Sequence, residues 1–105
     1  MAKFDNDRYI TTNACSRLPV EMIGFLWGLV DSYIRDHGDA DYLQVFRLSP
    51  TDDGKQRVIH SQEVPDYEQE YIVDSSMIEL EFIADEKVYI IDDGDHSTLL
   101  LAEDY

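Results

Sequence analysis

Cys15 and the histidines His37, His60 and His96 are the residues best able to do covalent chemistry, and their spacing gives that chemistry little support. A thiol nucleophile needs a lowered pKa and a base within hydrogen-bonding reach. Arg17 stands two residues from Cys15 and could lower its pKa, but every histidine is distant in sequence. No signature of a cysteine-enzyme family surrounds Cys15, so it reads as an incidental thiol. Asp93, Asp95 and Ser97 alternate as calcium ligands do, and Asp104 is twelfth from Asp93. The sixth place, however, is Thr98 where the sharp turn of a calcium loop requires glycine, and the twelfth is not the bidentate glutamate. A hairpin turn accounts for the same residues. No cysteine or histidine pair has zinc spacing, and no glycine-rich loop with a lysine could cradle phosphate. The sequence therefore predicts a protein that is not an enzyme, with no cofactor and no metal.

Paired carboxylates are the remaining candidates: Glu68/Glu70, Glu79/Glu81 and Asp92/Asp93. A hydrolytic acid–base pair needs a cleft that drives its two pKa values apart, and a small sheet with one helix has little room for it. Two readings are left. One is a solvated sheet face. The other uses strand geometry: residues i and i+2 share a face ~6.6–6.8 Å apart, and neighbouring strands add columns ~4.8 Å away. Glu68/Glu70 and Glu79/Glu81 would then imitate successive phosphates and occupy a basic nucleic-acid channel on another protein. The residues expected to bind the partner are Glu68, Glu70, Asp74, Glu79, Glu81, Asp92, Asp93 and Asp95.

Charge supports a basic partner. Eight Lys and Arg stand against 23 Asp and Glu, a net of −15, beyond the ~2–8 usual for a small domain. Residues 1–48 carry −2 of this and residues 49–105 carry −13, an asymmetry that points to an interaction surface. Such a field repels nucleic acid and anionic membrane and attracts basic protein surfaces. There is no basic stripe for direct nucleic-acid binding. The alternative is an adaptor whose charge serves only solubility.

These residues must be positioned by one domain, residues 1–105, since two cores would not fit in a chain of this size. The hydrophobic fraction of 44% is ample for a packed interior. Arg8–Thr12 favours a strand, and Asn13–Arg17 reads as a loop. Met22, Ile23, Leu26, Leu29, Val30, Tyr33 and Ile34 recur at three- and four-residue spacings, which predicts a helix from Pro19 to Asp36 with a stop at Gly38. Gly24 and Gly28 inside it are expected to let the helix approach a sheet. Tyr42–Leu48 and Gln56–Ser61 form a hairpin about a turn-rich Ser49–Gly54. Further strands are expected over Glu68–Asp74, Met77–Ala84, Val88–Asp92 and Thr98–Ala102. The fold class is α+β: one long helix packed on an antiparallel sheet of about five to six strands. Trp27 lies off the helical stripe, where it would cap the core edge or anchor a partner, and Tyr67, Tyr71 and Tyr105 flank acidic residues. No signal peptide or membrane span is expected, which predicts a cytoplasmic protein without membrane contact.

Arg8-Tyr9-Ile10-Thr11, Leu18-Pro19, Leu26–Asp31, Asp41–Phe46, Ile59–Pro65 and Asp92–Thr98 resemble a family of small uncharacterised proteins of Gram-positive bacteria and their phages, a domain of unknown function. The likeness covers most of the chain and departs at Asn13-Ala14-Cys15, where a glycine is expected. In size, acidity and phage association, though not in motif, the chain also resembles small anti-CRISPR inhibitors of type II RNA-guided nucleases. Those nucleases hold nucleic acid in positively charged channels and read the PAM with arginines. The resemblance thus implies an inhibitor whose partner is a type II CRISPR effector nuclease.

Overall fold

A computed structural model describes residues 1–74 and 84–105. The helical stripe forms α2, Val20–His37, which follows a short helix α1, Thr12–Arg17, and buries Met22, Leu26, Leu29, Val30 and Tyr33. Pro19 stands just before its first residue, and its carbonyl accepts from the Met22 and Ile23 N–H groups. At its end Gly38 takes φ 91°, the positive value that glycine tolerates, and its N–H closes on the Ile34 carbonyl.

The strands are β1 Asp7–Ile10, β2 Leu43–Pro50, β3 Gln56–Gln62, β4 Tyr67–Val73, β5 Glu86–Asp92 and β6 His96–Leu101. They form one sheet in the order β1-β6-β5-β2-β3-β4. Five strands pair antiparallel as expected, but β1 runs parallel to β6. The sheet is therefore mixed, a correction to the antiparallel expectation. No hairpin joins β1 to its neighbour, so turn signals hold no information about its direction. The strand expected over Met77–Ala84 lies outside the described residues apart from Ala84, which is buried and belongs to no strand.

A second correction concerns Asn13–Arg17. This stretch is not a loop but part of a short helix, α1, Thr12–Arg17. The Thr11 side chain accepts from the Ala14 N–H and caps it, and Ala14 is fully buried. Six residues are too few to show helical periodicity in sequence.

α2 covers one face of the sheet. Phe46 and Leu48 of β2, Val58 of β3, Val88 and Ile90 of β5, and Leu99 and Leu101 of β6 meet its apolar stripe in a single core. The N-terminal segment is tied to that core by Phe4, buried at a φ of 52° despite carrying a side chain. No helix among the described residues is long and apolar enough to cross a membrane.

Gly24 and Gly28 are not at the helix–sheet contact. Both are exposed, and a Cβ at either would meet nothing within 4 Å. Their expected packing role is overturned, which leaves only their cost to helix propensity, ~1 kcal/mol each relative to alanine. Gly24→Ala and Gly28→Ala should therefore each raise unfolding free energy by about 1 kcal/mol, measured by urea denaturation. A loss of stability in either variant would show that the helix needs glycine there after all.

Candidate functional site

The two faces of the sheet differ in kind. On the covered face, the end of the sheet near Asp41 holds a buried polar chain. Gln44 Nε2 donates to the Asp41 carbonyl and to Gln62 Oε1, both at 2.8 Å. Gln62 Nε2 in turn donates to the Pro65 carbonyl and the Tyr33 hydroxyl. These donations leave Gln44 Oε1 as an acceptor, so the His60 Nε2–H donates to it, at 2.6 Å. His60 lies stacked on Phe46, with Tyr33 and Tyr67 edge-on. Burial pushes its pKa down to about 4, and its Nδ1 is buried without a hydrogen-bond partner. A neutral, fully enclosed imidazole cannot serve an external substrate. Burial likewise pushes the Tyr67 hydroxyl up to about 12.

The other candidates for chemistry stay apart. Cys15 is exposed on α1, His37 stacks on Tyr33, and His96 pairs with Asp93 beside Tyr9. Among the described residues no three His, Cys, Asp or Glu side chains converge as metal ligands.

The acids expected to bind a partner fall into separate groups. Glu68 and Glu70 share the uncovered face of β4, an edge strand, opposite Ser61 and Ile59 of β3. Glu70 is already neutralised by Arg57, whose Nε lies 2.8 Å from its carboxylate. Asp74 follows β4, is half-buried and is engaged in an interaction. Glu79 and Glu81 lie outside the described residues.

Asp92 turns inward instead of outward. Its carboxylate accepts from the Phe4 N–H, from Asn6 Nδ2 and from the Gly94 N–H, and so ties the N-terminal segment to the β5–β6 turn. Burial works against its charge, but these donors together outweigh burial and hold the carboxyl below its usual range. Asp93 accepts from the backbone of His96 and Asp95, which lowers its pKa too. Asp95 alone of this turn projects freely. Two strands, β2 and β3, separate β5 from β4, so this group stands more than about 14 Å from the β4 carboxylates. The described members of the expected set, β4's Glu68 and Glu70 and the acids of the β5–β6 turn, are not gathered in one patch.

The uncovered face is carried by the residues that alternate with the core positions. Its centre is apolar: Leu43 and Val45 of β2, Ile59 of β3, and Tyr89 and Ile91 of β5, all half-buried, and Leu100 of β6, which is buried. Tyr105 folds back from the C-terminus onto Tyr89, ring centroids 5.5 Å apart. Tyr9 and Ile72 extend the apolar surface onto the two edge strands, both exposed.

Basic residues had no place in the sequence-based site, yet the uncovered face holds three of them: Arg47, Arg57 and Lys87. Among the described residues, six of the eight bases are engaged. Arg8 pairs with Asp31, Arg17 with Glu86 and Glu103, Arg35 with Asp36, Lys55 with Asp53 and Arg57 with Glu70, while Lys3 donates to the Gly38 carbonyl. Arg47 and Lys87 make no ion pair and stand directly opposite each other on β2 and β5. Alternation with Phe46 and Leu48 places Arg47 on the outer face, but the facing lysine depends on strand register, which the sequence does not display. Trp27 is partly buried against the core, and the Arg8 guanidinium lies 4.6 Å from its ring centre. Its ring is thus occupied from within.

His60 makes stability pH-dependent. Unfolded, it takes a proton near 6.5; folded, only near 4. Between these values the unfolded chain binds more protons, so stability falls as pH drops from 6.5 towards 4 and the contribution is gone below 4. The loss should total about 3 kcal/mol, of which about 2 kcal/mol is gone by pH 5. Urea unfolding from pH 7.5 to 4.5 reads it directly. His60→Gln, which cannot take the proton, should flatten that slope whatever its own stability.

The family model described as "Staphylococcal protein of unknown function (DUF960)" matches residues 7–104. Among curated proteins none matches the chain. A solved structure described as a protein of unknown function from Enterococcus faecalis superposes with a TM-score of 0.79 at 25% identity, covering 100% of this chain and 97% of the other.

Proposed function

The chain belongs to this family of staphylococcal proteins of unknown function, and for this member we propose a non-catalytic role: it binds another protein through the uncovered face of its sheet. The observation that carries the reading is the content of that face, where Leu43, Val45, Tyr89 and Ile91 lie side by side in register, half-buried, with no helix among the described residues packed over them. Such a face is ordinarily covered in a folded domain; here its centre is half-buried and Tyr9, Ile72 and Tyr105 are exposed around it, and apolar surface rimmed by charge is characteristic of interaction sites. Tyrosine and arginine, both present here, are favoured anchors of interfaces. The net charge of −15 adds long-range attraction for a basic partner and repulsion of nucleic acid and anionic membrane.

A narrower form of the proposal is inhibition of a type II RNA-guided nuclease by carboxylates that imitate phosphates. Its support is the overall charge and the same-face pair Glu68 and Glu70. Against it stand the neutralisation of Glu70 by Arg57 and the unpaired cations on the same face.

The test is capture of host protein by the immobilised chain, with Tyr89→Lys and Val45→Lys compared with Glu21→Lys on the exposed side of α2. Captured protein should fall by about tenfold or more in the two sheet-face variants and hold in the helix variant, since only the former place a charge in the apolar centre. Equal capture by all three would exclude the sheet face. Adding the chain to a purified type II nuclease and measuring DNA cleavage tests the narrower form. If cleavage is inhibited, Glu68→Lys should weaken the inhibition and raised salt should abolish it, because exposed charges are screened within ~8 Å at 0.15 M.

A further inference from the structure

Two cations side by side are out of place in this molecule. The chain has 23 acids to eight bases, so a base has many possible partners, and six bases are engaged. Arg47 and Lys87 are directly opposed across the β2–β5 ladder instead. Like charges in that relation destabilise a sheet. They also border a hollow on the uncovered face whose walls include Ser49, Ile59 and Asp85.

The neighbouring carboxylates do not relieve them. Glu86 is paired with Arg17, Glu70 with Arg57, and Asp85 makes no ion pair with either cation. Lys87 instead leans over its own-face neighbour Tyr89, Nζ 5.6 Å from the ring centre. The result is a small positive spot that joins the apolar centre through Val45 and Tyr89, within an otherwise negative molecule.

From this juxtaposition, and resting on the reading of the uncovered face as a protein-binding surface, we infer that the partner segment seated there carries an apolar stripe flanked by carboxylates, which close on Arg47 and Lys87. The contact completes what the fold leaves open: two carboxylates would neutralise the opposed cations while the stripe covers Leu43, Val45, Tyr89 and Ile91. A nucleic-acid strand is a poorer occupant. It would bring a continuous row of phosphates to a surface where, among the described residues, two cations lack an ion-pair partner, inside a field of −15. The same field disfavours an acidic partner at long range. At physiological salt, however, it is screened beyond about 8 Å, whereas a directly contacting pair is not. The local cations therefore choose the contacting residues, and the overall field acts on the approach.

A displayed library of random peptides, panned against the full chain at 0.15 M salt, supplies a probe without a known partner. Selected peptides should be enriched in Asp and Glu next to Leu, Ile, Val or Phe. Their affinity should fall by about tenfold for the Arg47→Glu, Lys87→Glu double variant, since each exposed charge contact contributes up to about fivefold. Lys87→Glu alone turns the opposed cations into an attracting pair and should melt no lower than the wild type, so lost binding would not be lost folding. Enrichment in Lys and Arg, or unchanged affinity in the double variant, overturns the inference. If such peptides still lose binding on Tyr89→Lys, the sheet face remains the binding surface and only its carboxylate preference is wrong. If they ignore Tyr89→Lys as well, both readings fall. A single-stranded oligonucleotide that binds the wild type and not the double variant would assign the cations to phosphate instead.

Discussion

One helix cannot cover two faces of a sheet, and the rest of the molecule follows from that constraint. α2 has 18 residues, about 27 Å of helix. The six strands span about 24 Å from edge to edge. The apolar stripe of α2 meets core residues from β2, β3, β5 and β6 on one face, and the described residues contain no second long helix for the other. Alternation along each strand then divides the residues. Phe46, Leu48, Val58, Val88, Ile90, Leu99 and Leu101 go under the helix, and Leu43, Val45, Ile59, Tyr89 and Ile91 go to the opposite side. A solvated sheet face commonly carries polar residues at such positions; here they are apolar and half-buried.

The large negative charge is not laid out as a single field-generating plate. Several of the acids are structural. Asp41 accepts backbone donors from Leu43, Glu63 and Val64 and so holds the start of β2 to the β3–β4 connection. Asp92 does the same between the N-terminal segment and the β5–β6 turn. Asp93 builds that turn itself. Others neutralise bases at the margin. Arg17, for example, holds Glu86 of β5 and Glu103 of the C-terminal turn together. These carboxylates keep their charge but have their oxygens committed to hydrogen bonds, so acids counted along the chain overstate the carboxylates free to contact a partner directly. The pair left without an opposite sign is positive, and it sits where the apolar surface is.

The covered face contains its own exception to apolar packing, the Asp41–Gln62–Gln44–His60 chain. Gln44 and Gln62 have their polar atoms satisfied within it, so their burial costs little. His60 is the member with an unmet acceptor, Nδ1, and for that reason it is the member through which proton concentration reaches the core. Tyr33 links this chain to α2 through its hydroxyl. The docking of the helix and the neutrality of His60 are therefore coupled in one region.

The local elements were legible in the sequence because they rest on short-range patterns. The three- and four-residue recurrence from Met22 to Ile34 marks α2, and Gly38 marks its end. The turn formers of Ser49–Gly54 and Asp93–His96 mark the two hairpins, and alternation marks β2, β3 and β5. The inward aspect of Asp92 was also there to be read, since it continues the alternation of Val88 and Ile90. Tertiary structure decided what depends on neighbours distant in the chain. It set β1 parallel beside β6, made Asn13–Arg17 helical by burying Ala14, and turned Gly24 and Gly28 away from the sheet. It also separated Glu68 and Glu70 on β4 from Asp92, Asp93 and Asp95 at the β5–β6 turn, and it opposed Arg47 to Lys87. Period-two alternation says which residues share a face. It does not say which face a helix will cover or which residue of the next strand stands opposite, because register is set by packing and pairing over the whole sheet.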